Sequence, residues 1–288
     1  MAAIAGPRSA VLGQLRGWYR ASPSAVVGGL LVIVLSLVAW AAPWLAAYEP
    51  ETMDFNAPLT GPTIARWLGT DHFGRDVLSR VIFGYRISLA VAIGSVGLAM
   101  AIGVPLGLVA GYYRSWTENL IMRPMDVIMA FPAIILVVAL AGFFGHGVSL
   151  MVIALAFVYV PIIVRVMRGS TLAAAGELYI EGARARGASH LRIMVRHILP
   201  NAITPVLVQA SVLMGIAILL EAALSFIGLG TQPPTPSLGL MLSEGRAYMG
   251  DAPWLVIAPG FAIVLAVLGF NLLGNGLPEL LNPARKHR

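Results

Sequence analysis

Glu221 is a carboxylate inside an apolar run, with Ala217 to Leu220 before it and Ala222 to Leu224 after it. A charge at that depth of a bilayer costs about 2.5–3.5 kcal/mol on insertion scales. The side chain therefore either meets an amino group in a pathway or hydrogen-bonds a neighbouring helix, and the sequence leaves both readings open. His72 and Asp76 stand four apart, the nearest approach to a metal pair, and otherwise read as a solvated loop helix; no metal site is expected. Catalytic groupings are missing. The single lysine is Lys286, so no G-x-x-x-x-G-K-S/T phosphate loop and no intramembrane Ser–Lys dyad exist. There is no cysteine, no G-x-S-x-G and no H-E-x-x-H. The chain is not expected to be an enzyme, and in particular not to hydrolyse ATP.

These residues sit in a chain of 288 amino acids, 58% hydrophobic and only 11% charged, with a mean hydropathy of +0.84. Soluble domains carry roughly 25% charge, so the composition specifies an all-α integral membrane protein and excludes disordered and disulfide-stapled classes. Six runs are long enough to cross, near 24–44, 88–112, 126–144, 147–167, 203–230 and 254–276. With both termini in the cytoplasm, 14 basic residues lie inside and five outside (Arg66, Arg75, Arg80, Arg86, Arg246), as the positive-inside rule requires. The excess of basic residues reads as orientation charge, since no basic stripe with interleaved aromatics suggests nucleic acid. Arg16, Arg20 and Ala39-Trp40-Ala41 also fit a cleaved leader, which would leave five spans, but the apolar run is long for one.

The organisation is then a cytoplasmic amphipathic segment over 1–23, a six-helix domain over 24–283 with an outer loop at about 45–87, and a basic tail over 284–288. Pro105, Pro132, Pro161, Pro205 and Pro259 fall in or beside spans and kink points are expected there. Gly103, Gly107 and Gly111, four apart, mark a helix face that another helix approaches closely. Asp71 is expected to cap a short outer helix in which Asp76 and Arg80 pair, and Gln232 to Pro236 to form a stiff outer turn.

Residues 168–200 are the long segment on the basic side. Leu172, Ala175, Leu178, Tyr179, Gly182 and Ala183 share one stripe of a first helix that ends at Gly187. Ser189 caps a second helix with the stripe Leu191, Met194, Val195 and Ile198, closed by Pro200. The product is a helix–turn–helix elbow whose small residues Ala183, Ala185, Gly187 and Ala188 keep the turn thin. It suits a groove on another protein, or alternatively a hairpin lying on lipid headgroups.

Within the elbow, Tyr179-Ile180-Glu181-Gly182-Ala183-Arg184-Ala185-Arg186-Gly187 and Arg196-His197-Ile198-Leu199-Pro200-Asn201 resemble the E-A-A…G…I-x-L-P loop of ABC-importer permeases. Gly182 and His197 depart from the general pattern, and the second departure resembles the dipeptide/oligopeptide/nickel branch. Leu68 to Arg80, Leu224 to Gly230 with Gln232 to Ser237, and Pro253-Trp254 through Gly274 agree, the first being similar to the C-type permease of a pair. Asn275, Pro278 and Asn282 depart at the C-terminal exit. The resemblance implies a type I importer fold of six transmembrane helices with a cytoplasmic coupling loop, in a bacterial inner membrane with both termini inside. It implies binding-protein-dependent uptake of dipeptides or oligopeptides, a homologous second permease, two ATP-binding subunits and an extracytoplasmic binding protein. ATP and Mg then belong to the partners, and lipid surrounds the chain. It also implies docking through Glu181, Gly182, Ala183, Gly187, Ala188 and Ser189, with Pro200 at the loop's end; Glu221 matches an acid in the family pattern. A secondary transporter or channel acting alone is the alternative, and it leaves the elbow unexplained.

Overall fold

The computed structural model describes residues 22–281. The amphipathic N-terminal segment up to residue 21, with Arg8, Arg16 and Arg20, and the tail with Asn282, Arg285, Lys286 and Arg288 lie outside the described residues. Helix α1 (Pro23–Trp40) starts where the Ser22 hydroxyl accepts from the Ala25 amide, with Pro23 in the first turn. A single turn, α2 (Ala42–Leu45), leads into the loop before the second span. Thr70 organises that loop: its hydroxyl donates to the Ala57 carbonyl at 2.7 Å and accepts from the Thr60 amide at 2.8 Å.

Asp76 caps α3 (Val77–Tyr113), accepting from the Ser79 amide at 2.8 Å. At 37 residues the helix is about 55 Å long, well beyond a hydrocarbon core of about 30 Å. It therefore starts eleven residues before the expected span at 88, because a helix does not stop where the membrane does. The expected straight span over 126–144 is instead two helices, α4 (Ser115–Met129) and α5 (Ala133–Phe144), bent by 87°. Pro132, extended at ψ 129°, lacks the amide needed to continue and disfavours a helical residue before it. Ion pairs from Arg168 to Glu118 and from Arg165 to Asp126, the latter 2.7 Å, hold α4 against α6 (Val148–Ala175).

The chain then turns through α7 (Leu178–Ala185), α8 (His190–Arg192), a π-helical stretch (Ile193–Ile198) and α9 (Leu199–Ala202) into α10 (Thr204–Phe226). A short buried helix, α11 (Leu238–Gly245), precedes α12 (Trp254–Leu281). Among the described residues five helices are long and apolar enough to span, and there are six when the bent α4–α5 pair is counted as one span. Pro105, Pro161 and Pro259 are accommodated inside continuous helices, whereas Pro205 sits in the first turn of α10.

The most extensive packing is α3 on α6. A Cβ at Gly103, Gly107 or Gly111 would run into Ile163, Met167 or Thr171 respectively, so these glycines set the spacing of the two helices. Gly28 against the Leu272–Leu273 backbone and Gly276 against Ala25 do the same for α1 and α12. Helix α10 packs against α3 and α12, completing one apolar core.

Candidate functional site

Three places gather polar or exposed groups that packing alone does not need: the elbow over 176–202, the bonds around Glu221, and an ion cluster at the far end of α3.

The elbow's first arm begins at a break. Gly176 ends α6 and Glu177 is extended at ψ 143°, so Leu172 and Ala175 belong to α6 and only 178–185 form the arm. The break resets the helical phase. Ile180 and Ala183 face inward at 0% and 1% exposure, so Ala183 keeps its place on the expected stripe, while Leu178 (82%) and Tyr179 (44%) are exposed against expectation. Gly187, at φ +76°, closes the arm: its amide donates to the Arg184 carbonyl at 2.9 Å and the Ala188 amide to Ala183 at 3.1 Å. This pair of bonds around a left-handed residue is the Schellman arrangement. Glu181, Gly187 and Ser189 are exposed, Gly182 and Ala188 half-buried, and Ala183 is packed inside the elbow rather than presented on it.

The second arm differs from a regular helix. Ser189 has the extended backbone of a cap, but its hydroxyl makes no capping bond. The i→i+5 winding over Ile193–Ile198 buries Ile193, Met194 and Ile198 and turns Leu191 (68% exposed) and Val195 (51%) outward. Pro200 does not end the arm; it sits in the first turn of α9, which continues directly from the π-helical stretch. Together with Leu199 and Ile203 it walls an open apolar cleft of about 740 Å³ against Gly97, Ala101 and Pro105 of α3. Both arms also close on the last turn of α3. Tyr112 Oη lies 2.8 Å from His190 Nδ1, and the Arg184 guanidinium stands 5.5 Å from the Tyr112 ring centre.

Glu221 has no exposed surface. Ser88 of α3 donates to one carboxyl oxygen at 2.6 Å and Ser225 to the other at 2.9 Å, while Ser225 Oγ accepts from the Thr231 amide at 3.2 Å. The group ties α3 and α10 to the turn over 227–237.

The far-end cluster corrects the expected outer helix. Asp71 caps no helix: its Oδ1 accepts from the amides of Phe73 and Arg75, each at 2.9 Å, in a side-chain turn. Asp76 serves α3 as its cap and does not pair with Arg80. Instead Arg75 bonds Asp71 at 2.6 Å and Glu244 at 3.1 Å, and Arg80 bonds the same Glu244 at 3.2 Å. Both guanidinium side chains are buried, at 2% and 1% exposure. Sequence spacing gave no signal for Glu244, which lies 164 residues from Arg80. Among the described residues no three His, Cys, Asp or Glu groups gather as a metal site.

Residues 103–287 match the family described as the binding-protein-dependent transport system inner membrane component, and residues 18–62 match the N-terminal transmembrane domain of oligopeptide transport permease C. A glutathione transport system permease of Pectobacterium atrosepticum is 45% identical over 263 residues, covering 91% of this chain and 87% of that one. A dipeptide transport system permease of Alkalihalophilus pseudofirmus is 42% identical over 262 residues, covering 91% and 86%. Among solved structures, a chain of the MetNI methionine ABC transporter in an inward-facing state superimposes with a TM-score of 0.59 at 19% identity, covering 70% of this chain and 96% of that one. At that identity the likeness speaks for the fold.

Proposed function

The chain belongs to the family of binding-protein-dependent transport system inner membrane components, and we propose that it carries short peptides as one half of a two-permease pathway, moved by ATPase subunits that grip its elbow. As a member of that family it is a multi-pass permease subunit of an ABC importer, working with an ATPase and a substrate-binding protein. Dipeptides and glutathione, named for two relatives, are both short peptides, which is the basis for the substrate class.

The observation that carries the docking reading is the outward display of Leu178, Tyr179, Leu191 and Val195 around the exposed turn at Gly187. Apolar side chains displayed on both arms of a short elbow, outside any span, fit a cleft on a protein partner. The docked surface is then these four with Glu181, Gly182, Gly187, Ala188 and Ser189, and without the buried Ala183. ATP and Mg reside in the partners, whose closure pulls on the elbow and hence on α6 and α10 at its two ends. Pro200 and the apolar cleft beside it line the path on the elbow side, a homologous permease supplies the other half, and Glu221 fastens helices. The arginine-rich elbow and both termini face the cytoplasm of a bacterial cell.

Gly187→Val tests this. A β-branched residue at positive φ is strained by about 1–3 kcal/mol, so the turn is expected to rearrange. The complex should then hydrolyse ATP while uptake of labelled dialanine and glutathione falls more than about tenfold, the equivalent of 1.4 kcal/mol or more, with the chain still in the membrane. Uptake at the unmodified level would refute docking through the turn.

A further inference from the structure

We propose that Tyr112 is the positioning residue through which the elbow moves α3, and that α3 acts as a rod delivering that movement to the Arg75–Arg80–Glu244 cluster at the far end. The inference rests on the reading of the elbow as the docked element. The elbow is joined to α6 through Gly176 and the extended Glu177, and to α10 through Ile203, which keeps helical backbone with its amide bonded to Leu199 and its carbonyl to Leu207. Those two ends lead into α6 and α10, and neither leads into α3. Tyr112 supplies a third connection, made of contacts to both arms at once.

The first arm contributes Arg184 over the ring, 5.5 Å from its centre. The second contributes His190, whose Nδ1 is 2.8 Å from the phenol oxygen, and Tyr113 braces the pair with its ring 5.1 Å from that of Tyr112 and 6.0 Å from His190. Tyr112 is only 8% exposed. Packing could be satisfied by a phenylalanine; a hydroxyl directed at one nitrogen fixes the angle between α3 and the elbow as well.

Helix α3 runs without interruption from that clasp to Arg80, 32 residues away and so about 48 Å along the axis. There Arg80 is held by Glu244 of α11. Helix α11 is also in close contact with α10 and α12, Gly239 lying against the Ala222 backbone and Gly245 against that of Leu255, so a movement of α11 is felt by both. A shift of α3 must either carry α11 along or take Glu244 away from the buried Arg80 guanidinium, which is costly. The clasp at one end and the ion cluster at the other make one mechanical element, with α11 as its output.

The chain has no cysteine, so Leu240→Cys places a single thiol on α11 of this subunit, at a position 9% exposed. The complete importer, purified with its partners from its native membrane into nanodiscs, is treated with a membrane-impermeant maleimide, and labelling of this chain is compared without nucleotide and after trapping with ATP and vanadate. Trapping is expected to raise labelling. Tyr112→Phe should cut that rise about fivefold, the weight of one hydrogen bond, with ATP hydrolysis retained. His190→Ala should do the same, and His190→Asn, whose amide oxygen occupies the Nδ1 position, should restore it. A full rise in Tyr112→Phe, alongside its loss in Gly187→Val, overturns the clasp and leaves the docking reading intact. A full rise in Gly187→Val as well overturns both. No nucleotide-dependent labelling at either Leu240→Cys or Thr231→Cys, the latter in the neighbouring turn, overturns α11 as the output.

Discussion

The two oxygens of Glu221 are met by Ser88 and Ser225, so the acid that sequence placed in an apolar run is accounted for without any exposed surface. Of the two sequence readings, geometry favours the bond to a neighbouring helix. Glu221→Leu should leave both serine hydroxyls buried without this partner and cost about 1–3 kcal/mol, whereas Glu221→Gln keeps a polar partner and should cost less. Unfolding midpoints of the purified complex in detergent measure this; a leucine variant as stable as the parent would remove the packing role. The acid was legible because its surroundings along the chain are apolar. Its partner Ser88 was not, being 133 residues away on a different helix.

At the scale of elements, close approach of helices depends on absent side chains. Gly107 sits against the Val164 carbonyl and Met167, with no room for a larger residue. Gly107→Leu should push α3 and α6 apart and destabilise the chain by at least the 1–3 kcal/mol usual for overpacking, seen as loss of a monodisperse peak in gel filtration; an unchanged profile and midpoint would show that the pair is loosely packed. The spacing of Gly103, Gly107 and Gly111 announced a contact face, because residues four apart share one side of a helix. The elbow was legible as two arms and a glycine turn for a similar reason: the Schellman turn is local. Its exposed faces were not legible. Counting at 3.6 residues per turn across Gly176 and through the π-helical stretch carries the wrong phase, which is why Leu178, Tyr179, Leu191 and Val195 appear outside instead of inside.

For the whole molecule, the proposed orientation rests on charge: the elbow carries arginines at 184, 186, 192 and 196, and basic segments of this kind favour the cytoplasmic side. Because the parent chain lacks cysteine, a Ser189→Cys variant gives one exposed elbow thiol. It should resist an impermeant maleimide in intact cells and react after the membrane is opened; labelling in intact cells would invert the proposed topology.

The sequence by itself determined the membrane class, the place of each span in the chain though not where α3 starts, where α6 ends or the bend at α4–α5, the elbow and the glycine face, because hydropathy, charge bias and turn chemistry act over short stretches of chain. Only the tertiary structure decided that Pro132 breaks the third span by 87°. It alone paired Glu244 with Arg75 and Arg80, leaving Asp76 to cap α3, and it brought Tyr112 to His190. Those outcomes depend on which helices lie side by side. A buried guanidinium or hydroxyl takes the partner that the fold brings within bonding distance, and sequence separation carries no information about that distance.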